Sequence, residues 1–220
     1  MQFNFIANEP LVSASGRTLA VLDPSDGQPF DALQRSNAED IHQAVQAARH
    51  CFDTVWQQTS AVERGRLLMR LSAKVLEHGD TLAALEQRDC GKPTRQARAD
   101  VLALSRYFEF YAGACDKLHG QTIPGPDGFS TLTWREPHGV TGHIVPWNYP
   151  MQIFGRCVGA ALAAGNVCVV KPAEDACLSL LRVAQLAVEV GLPAGALNLV
   201  TGYGAEVGEA EGNALVRRAG

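Results

Sequence analysis

The sequence predicts an α/β protein: a helical region with a β-hairpin arm, then the first half of a doubly wound, Rossmann-like parallel sheet. Three observations carry this. From Val140 to Val200, short apolar runs with no polar face alternate with helices that expose one narrow stripe. That is the pattern of a parallel sheet covered on both sides. From Ser36 to Ala114, apolar residues recur at three- and four-residue steps, the period of amphipathic helices. Before them, turn signals break residues 1–35 into short β-prone pieces. Pro137-His138-Gly139 marks the change of pattern, dividing a region of residues 1–139 from a βαβαβα unit of residues 140–220.

The first 35 residues hold turns at Asn8-Glu9-Pro10, Ser15-Gly16, Asp23-Pro24 and Asp26-Gly27, and read as strands wrapped on something larger. Ser36 with Glu39 reads as a capping box, followed by the apolar face Ile41, Ala44, Val45, Ala48, Phe52, Val55 and Trp56. Ser60 with Glu63 repeats the signature ahead of Leu67, Leu68, Leu71, Val75 and Leu76. A third helix runs from near Asp80 to Gly91-Lys92-Pro93, a glycine stop with proline beyond it. A fourth carries Val101, Leu104, Phe108, Tyr111 and Ala112 on one stripe. "STLTWRE" then alternates Leu132 and Trp134 against Thr131, Thr133 and Arg135. This predicts a half-buried strand, in a hairpin with residues near Thr122 across the Pro124–Gly128 turn.

Beyond Gly139 come the strand "VTGHIV", a helix over 151–164 and the strand "NVCVVK". A helix over 176–190 follows, with Ser179, Arg182, Gln185 and Glu189 as its polar stripe, then "ALNLV" and a helix opened by Gly202. A sheet that stops at its third strand leaves an unpaired edge, which predicts aggregation, self-association or a complementary chain.

Charge narrows the function. With 19 Lys/Arg against 23 Asp/Glu and no basic block, the chain lacks the footprint of a nucleic-acid binder. Its 6 cysteines are scattered, with no CxxC pair and no metal-ligand spacing, and read as buried reduced thiols of a cytoplasmic protein that holds no metal. Met1–Ile6 has no secretory pattern, and the longest apolar stretch is broken at Arg156, Gly165 and Asn166, so no membrane partner is expected.

Open parallel sheets bind ligands beyond the carboxyl ends of their strands. Here those ends carry Pro146-Trp147-Asn148-Tyr149-Pro150, Lys171-Pro172-Ala173-Glu174 and Thr201-Gly202-Tyr203-Gly204. An acidic residue past the second strand is where this architecture holds a ribose hydroxyl, and Glu174 with Lys171 fits that position. A solvated ion pair across a proline turn fits it equally well. The GxGxxG loop expected at the first strand–helix turn is missing, and a GxGxxxG pattern (Gly202, Gly204, Gly208) follows the third strand instead. Asn148, between bulky neighbours, suits donation to a developing oxyanion. Local pattern favours another role for it, capping the helix that starts at Pro150.

Taken together, "PWNYP", "ALAAGNVCVVKPAE" and "GLPAGALNLVTGYGAEVG" resemble the aldehyde dehydrogenase superfamily, near its non-phosphorylating NAD(P)-dependent members. "ASGRTLAVLDPSDGQPF", "ERGRLLMRLSAKVLEHGDTLAALEQRDCGKP" and "FEFYAGACDKLHG" extend the resemblance, in order, over roughly residues 5–210. The resemblance implies that Asn148 stabilises the oxyanion formed when a thiolate adds to an aldehyde. It implies that Lys171 and Glu174 hold the adenosine ribose of NAD, with NADP as the alternative cofactor. By the same resemblance the backbone of Val145, Pro146 and Trp147 lines the cofactor cleft, and Gly204 and Gly208 let a helix lie close to the adenine. The Thr122–Glu136 hairpin resembles the family's oligomerisation arm, implying a homo-oligomer or a complementary C-terminal chain. One departure matters. The segments that carry the family's nucleophilic cysteine and general-base glutamate do not occur in this sequence, and "EAEGNALVRRAG" agrees less well than what precedes it. The expectation is the N-terminal part of an NAD(P)-dependent aldehyde dehydrogenase, inactive alone. The alternative is a non-catalytic, shortened homologue acting as a dinucleotide-binding or subunit-association module.

Overall fold

Val167–Pro172 contains a single residue whose side chain prefers water, Lys171, and the computed structural model, which describes residues 1–216, buries all six positions. The strands are β1 (Asn4–Ile6), β2 (Glu9–Leu11), β3 (Thr18–Leu22), β4 (Pro29–Gln34), β5 (Thr122–Ile123), β6 (Thr131–Leu132), β7 (Val140–Val145), β8 (Val167–Pro172) and β9 (Leu197–Leu199). The helices are α1 (Ala38–Thr54), α2 (Ala61–Glu77), α3 (Gly79–Cys90), α4 (Thr94–Ala114), α5 (Pro150–Ala163), α6 (Leu178–Glu189) and α7 (Glu209–Val216). The last four residues of the expected 140–220 unit lie outside the described residues.

The main sheet has the order β2-β1-β9-β8-β7. β7, β8 and β9 run parallel, joined by α5 and α6, and β1 adds antiparallel beside β9. The edge expected to be open beyond the third strand is therefore covered by the N-terminal hairpin. Its turn places Ala7 and Asn8 at φ 52° and 67°, a reversal that matches strand twist. Side-chain amides fasten it: Ala7 N–H donates to Asn198 Oδ1 at 2.9 Å, Thr201 N–H to Asn4 Oδ1 at 3.0 Å, and Asn8 Nδ2 to Leu192 O at 2.9 Å. Among the described residues, β7 has no strand on its outer side.

The crossover helices α5 and α6 pack on each other and on α2–α4, while α1 packs on β7, β8, β9 and α7. Of the apolar face predicted for α1, Ile41, Ala44, Val45, Ala48, Phe52 and, just beyond the helix, Trp56 are buried, whereas Val55 is exposed because α1 ends at Thr54. Phe108 of α4 meets Phe154 of α5 edge-on, with centroids 6.5 Å apart, and both rings are fully buried. Among the described residues no helix is long and apolar enough to cross a membrane.

Two segments differ from their sequence pattern. The first capping box uses Asn37 and Asp40, one residue later than Ser36 and Glu39. The Ser36 hydroxyl is held instead by Asn4, whose Nδ2 donates to it at 2.8 Å. "STLTWRE" pairs with the segment at Thr122 as read, through Thr131 and Leu132 and a Thr133 N–H to Gln121 O bond at 2.9 Å, but it is not half-buried: both Leu132 and Trp134 are exposed. Alternation shows which side chains share a face but not whether anything covers it. Ser60 with Glu63 caps α2 as read, and Gly91 ends α3 at φ 68°.

Buried Asp89, near the end of α3, takes the place of an N-cap side chain on α6. Its Oδ2 accepts from Leu178 N–H at 2.8 Å, while Oδ1 is buried without a partner. Burial pushes its carboxyl up to about 6, against the pull of the Leu178 and Cys177 backbone N–H groups. Because the folded value lies above the unfolded one, the protonated form is favoured by folding. That contribution is complete below about pH 4 and is lost as pH rises through about 6. Burial pushes Glu211 up as well, to about 7, and it acts with the same sign. Thermal unfolding is therefore expected at a higher temperature at pH 5 than at pH 8. Asp89→Asn, which keeps an acceptor for Leu178 and adds no charge, should flatten the profile. A profile unchanged by the substitution would show that Asp89 does not titrate in this range.

Candidate functional site

Strand register brings the three unusual turns to one edge. Ile144 stands opposite Lys171 and Val145 opposite Pro172, while Val170 pairs with Leu199. The segments Pro146–Pro150, Ala173–Glu174 and Thr201–Gly204 thus leave the sheet from the same carboxyl edge, where an open parallel sheet takes its ligands. Ala173 N–H donates to Val145 O at 2.8 Å, tying the first two together. Val145 is buried, whereas Pro146, Trp147, Asn148 and Tyr149 are exposed.

Asn148 is not a helix cap. The N-cap of α5 is Tyr149, no side chain bonds the helix start there, and Pro150 occupies the first turn, where a missing N–H does no harm. The competing local explanation for Asn148 therefore fails, and its carboxamide faces solvent at the sheet edge.

Lys171 and Glu174 are not a surface pair. The Lys171 side chain is 3% exposed and its Nζ lies 2.6 Å from Glu174 Oε2, with Glu174 at 28%. Partial burial pushes the Glu174 carboxyl up. The Lys171 hydrogen bond, the Glu174 and Gly204 backbone N–H groups and the Lys171 charge together hold it below the usual carboxylate range. Glu174 is thus a carboxylate at neutral pH, with acceptor capacity turned toward solvent.

The glycine turn is clamped from behind. Gly202 has φ 144°, and a Cβ there would lie 2.7 Å from Val207 Cγ2 and 3.1 Å from Ser36 N, so only glycine fits. A Cβ on Gly208 would lie 3.3 Å from Ile144 Cδ1, a tight approach. One on Gly204 would lie 3.9 Å from Lys171 Nζ, ordinary contact. Gly204–Gly208 forms a π-helical turn, a backbone irregularity common at functional sites. Two polar links hold it to the N-terminal segment. Ser36 N–H donates to Thr201 O at 3.2 Å, and Arg35 Nε donates to Glu206 Oε2 at 3.1 Å with its guanidinium 4.9 Å from the Tyr203 ring. Arg35 and Glu206 are 171 positions apart, and no local pattern joins them.

The cysteines are free, and burial pushes every one of the six thiols up, Cys51 to about 11 and Cys168 to about 12. A nucleophilic cysteine needs the opposite environment, one that stabilises a thiolate. Among the described residues no cluster of His, Cys, Asp or Glu has the makings of a metal site.

The family model described as aldehyde dehydrogenase family matches residues 11–214. The hydroxyisobutyraldehyde dehydrogenase of Mycolicibacterium austroafricanum is 44% identical over 94% of this chain and 41% of its own length. Human retinal dehydrogenase 2 is 42% identical over 94% of this chain and 40% of its own length. Among solved structures, a protein from Burkholderia cenocepacia assigned as an aldehyde dehydrogenase superposes with a TM-score of 0.94 at 67% identity, covering 95% of this chain and 44% of that one. An NAD+ complex of aldehyde dehydrogenase from Bacillus cereus gives 0.93 at 38% identity, covering 95% and 43%. The chain thus spans about two-fifths of the length of the curated relatives it matches. On the match over residues 11–214, the chain belongs to the aldehyde dehydrogenase family.

Proposed function

We propose that this chain supplies the nucleotide half-site and the oxyanion donor for oxidation of an aldehyde to a carboxylic acid by NAD(P). The observation that carries the reading is the shared carboxyl edge, which bears both the half-buried Glu174, charged and held by Lys171, and the exposed Asn148, which caps no helix. NAD, when bound, supplies the hydride acceptor. Glu174 accepts hydrogen bonds from ribose hydroxyls, Lys171 fixes its charge and position, and the backbone of Val145, Pro146 and Trp147 lines the cleft. Gly204 and Gly208 keep the turn beside the adenine low, a role the tight approach of Gly208 to Ile144 supports. The Asn148 carboxamide donates to the aldehyde oxygen as negative charge collects on it during thiolate addition. The thiolate and the general base come from outside these residues, from a complementary chain; a second copy of this chain, with the same six raised thiols, does not supply them.

A second reading, a non-catalytic module for dinucleotide binding or subunit association, is favoured by the six inert thiols. Both readings expect no NADH to form when the 220-residue chain is mixed with NAD and an aldehyde. Turnover that disappears when one of its own cysteines is replaced would overturn both. NADH formation on mixing with a family chain that carries the thiolate but lacks this region would separate the first from the second.

A further inference from the structure

The turn bearing Asn148 meets the sheet at one end and a largely buried ammonium, 11% exposed, at the other. Lys92, in the α3–α4 loop, places its Nζ 2.7 Å from Glu86 Oε1 and 2.6 Å from Asp100 Oδ2, two carboxylates with no exposure. The same Nζ lies 4.8 Å from the centroid of the Tyr149 ring, and Tyr149 is the residue after Asn148. The remaining carboxylate oxygens are satisfied as well. Gln152 Nε2 and Gln96 Nε2 donate to Asp100 Oδ1 at 2.7 and 3.0 Å, and Ser179 Oγ donates to Glu86 Oε2 at 2.9 Å. A buried polar network with every member paired is rigid. This one is rooted in α3, α4 and α6, and it presents its cation to the first residues of α5.

A simple helix staple would account for Glu86, Asp100, Ser179 and Gln152. It leaves unexplained why the cation lies against the ring of a turn residue that is 41% exposed. Between Val145, tied to Ala173, and Tyr149, whose carbonyl accepts from Ile153 N–H at 2.9 Å and whose ring lies against Lys92, stand three exposed residues. We propose that Lys92 is a positioning residue: its ammonium, held by Glu86 and Asp100, seats the Tyr149 ring and so fixes the turn that presents Asn148. The functional weight of this turn rests on the reading of Asn148 given above. The anchoring itself does not.

The test separates the ring's π-face from its bulk. Lys92→Met leaves two buried carboxylates without a counter-ion and is expected to unfold the chain, so the informative pair is Tyr149→Phe and Tyr149→Leu in the 220-residue chain. Phenylalanine keeps the cation contact and leucine removes it. Backbone 15N relaxation should give Trp147 and Asn148 order parameters near about 0.85 in wild type and Tyr149→Phe, falling below about 0.6 in Tyr149→Leu. Order in α3, α4 and α6 and the unfolding temperature should stay as in wild type. NAD affinity should fall about tenfold in Tyr149→Leu alone. A turn that stays ordered in Tyr149→Leu, or loosens equally in Tyr149→Phe, overturns the proposal. If wild type binds no NAD, the cofactor reading fails, while the order parameters still decide the role of Lys92.

Discussion

Replacing Asn148 by alanine, in a protein that joins this chain to a thiolate-bearing segment, should lower kcat by about 10²–10³-fold, roughly 3–4 kcal/mol of transition-state stabilisation. The size follows from what the carboxamide would do. It meets an oxygen that becomes charged only as the reaction proceeds, so its removal affects the transition state far more than the bound ground state. Affinity for NAD should stay within about threefold. Stability should hardly change, within about 0.5 kcal/mol, because Asn148 is exposed and caps nothing. Steady-state kinetics and thermal unfolding of the variant distinguish this from a structural role, in which the unfolding temperature would drop and kcat would survive.

Glu174→Ala should weaken NAD binding by about 10–100-fold, the range for losing charge-assisted hydrogen bonds to ribose hydroxyls. Its effect on NADP should be opposite or absent. A carboxylate facing a 2′-phosphate in a partly desolvated site is unfavourable by about 1–3 kcal/mol, so wild type should prefer NAD about ten- to a hundredfold. Alanine removes both the attraction and the repulsion, and the preference should collapse. Lys171 lies on the other side of this balance as the positive partner, but its side chain is 3% exposed against 28% for Glu174, so the carboxylate is the group expected to meet the ligand. Equal losses for NAD and NADP in Glu174→Ala would mean that the residue serves only the fold of the turn.

Much of this was legible in the residues because the local signals agreed with the tertiary fold. β8 could be read from its apolar run, α2 from Ser60 with Glu63, and the end of α3 from Gly91. What escaped reading depended on distant partners. Ser36 and Asn37 are both good caps, and the choice fell to Asn37 because Asn4 claims the Ser36 hydroxyl. Neither β1 closing the sheet beside β9 nor α1 covering β8 follows from any local pattern. At the site, Lys171 and Glu174 were visible as a spaced pair, but the burial that distinguishes them from a surface ion pair was not. Lys92 was read only as part of a helix stop, since the ring it supports is 57 residues away.

Every role proposed for Asn148, Lys171 and Glu174 requires the carboxyl edge of β7, β8 and β9 to be a dinucleotide half-site. Isothermal titration of NAD into the 220-residue chain, with Glu174→Ala alongside, tests this most directly. The expected result is saturable one-to-one binding in wild type, about 10–100-fold weaker in the variant. No binding by a folded wild-type chain, or binding that Glu174→Ala leaves unchanged, would contradict it.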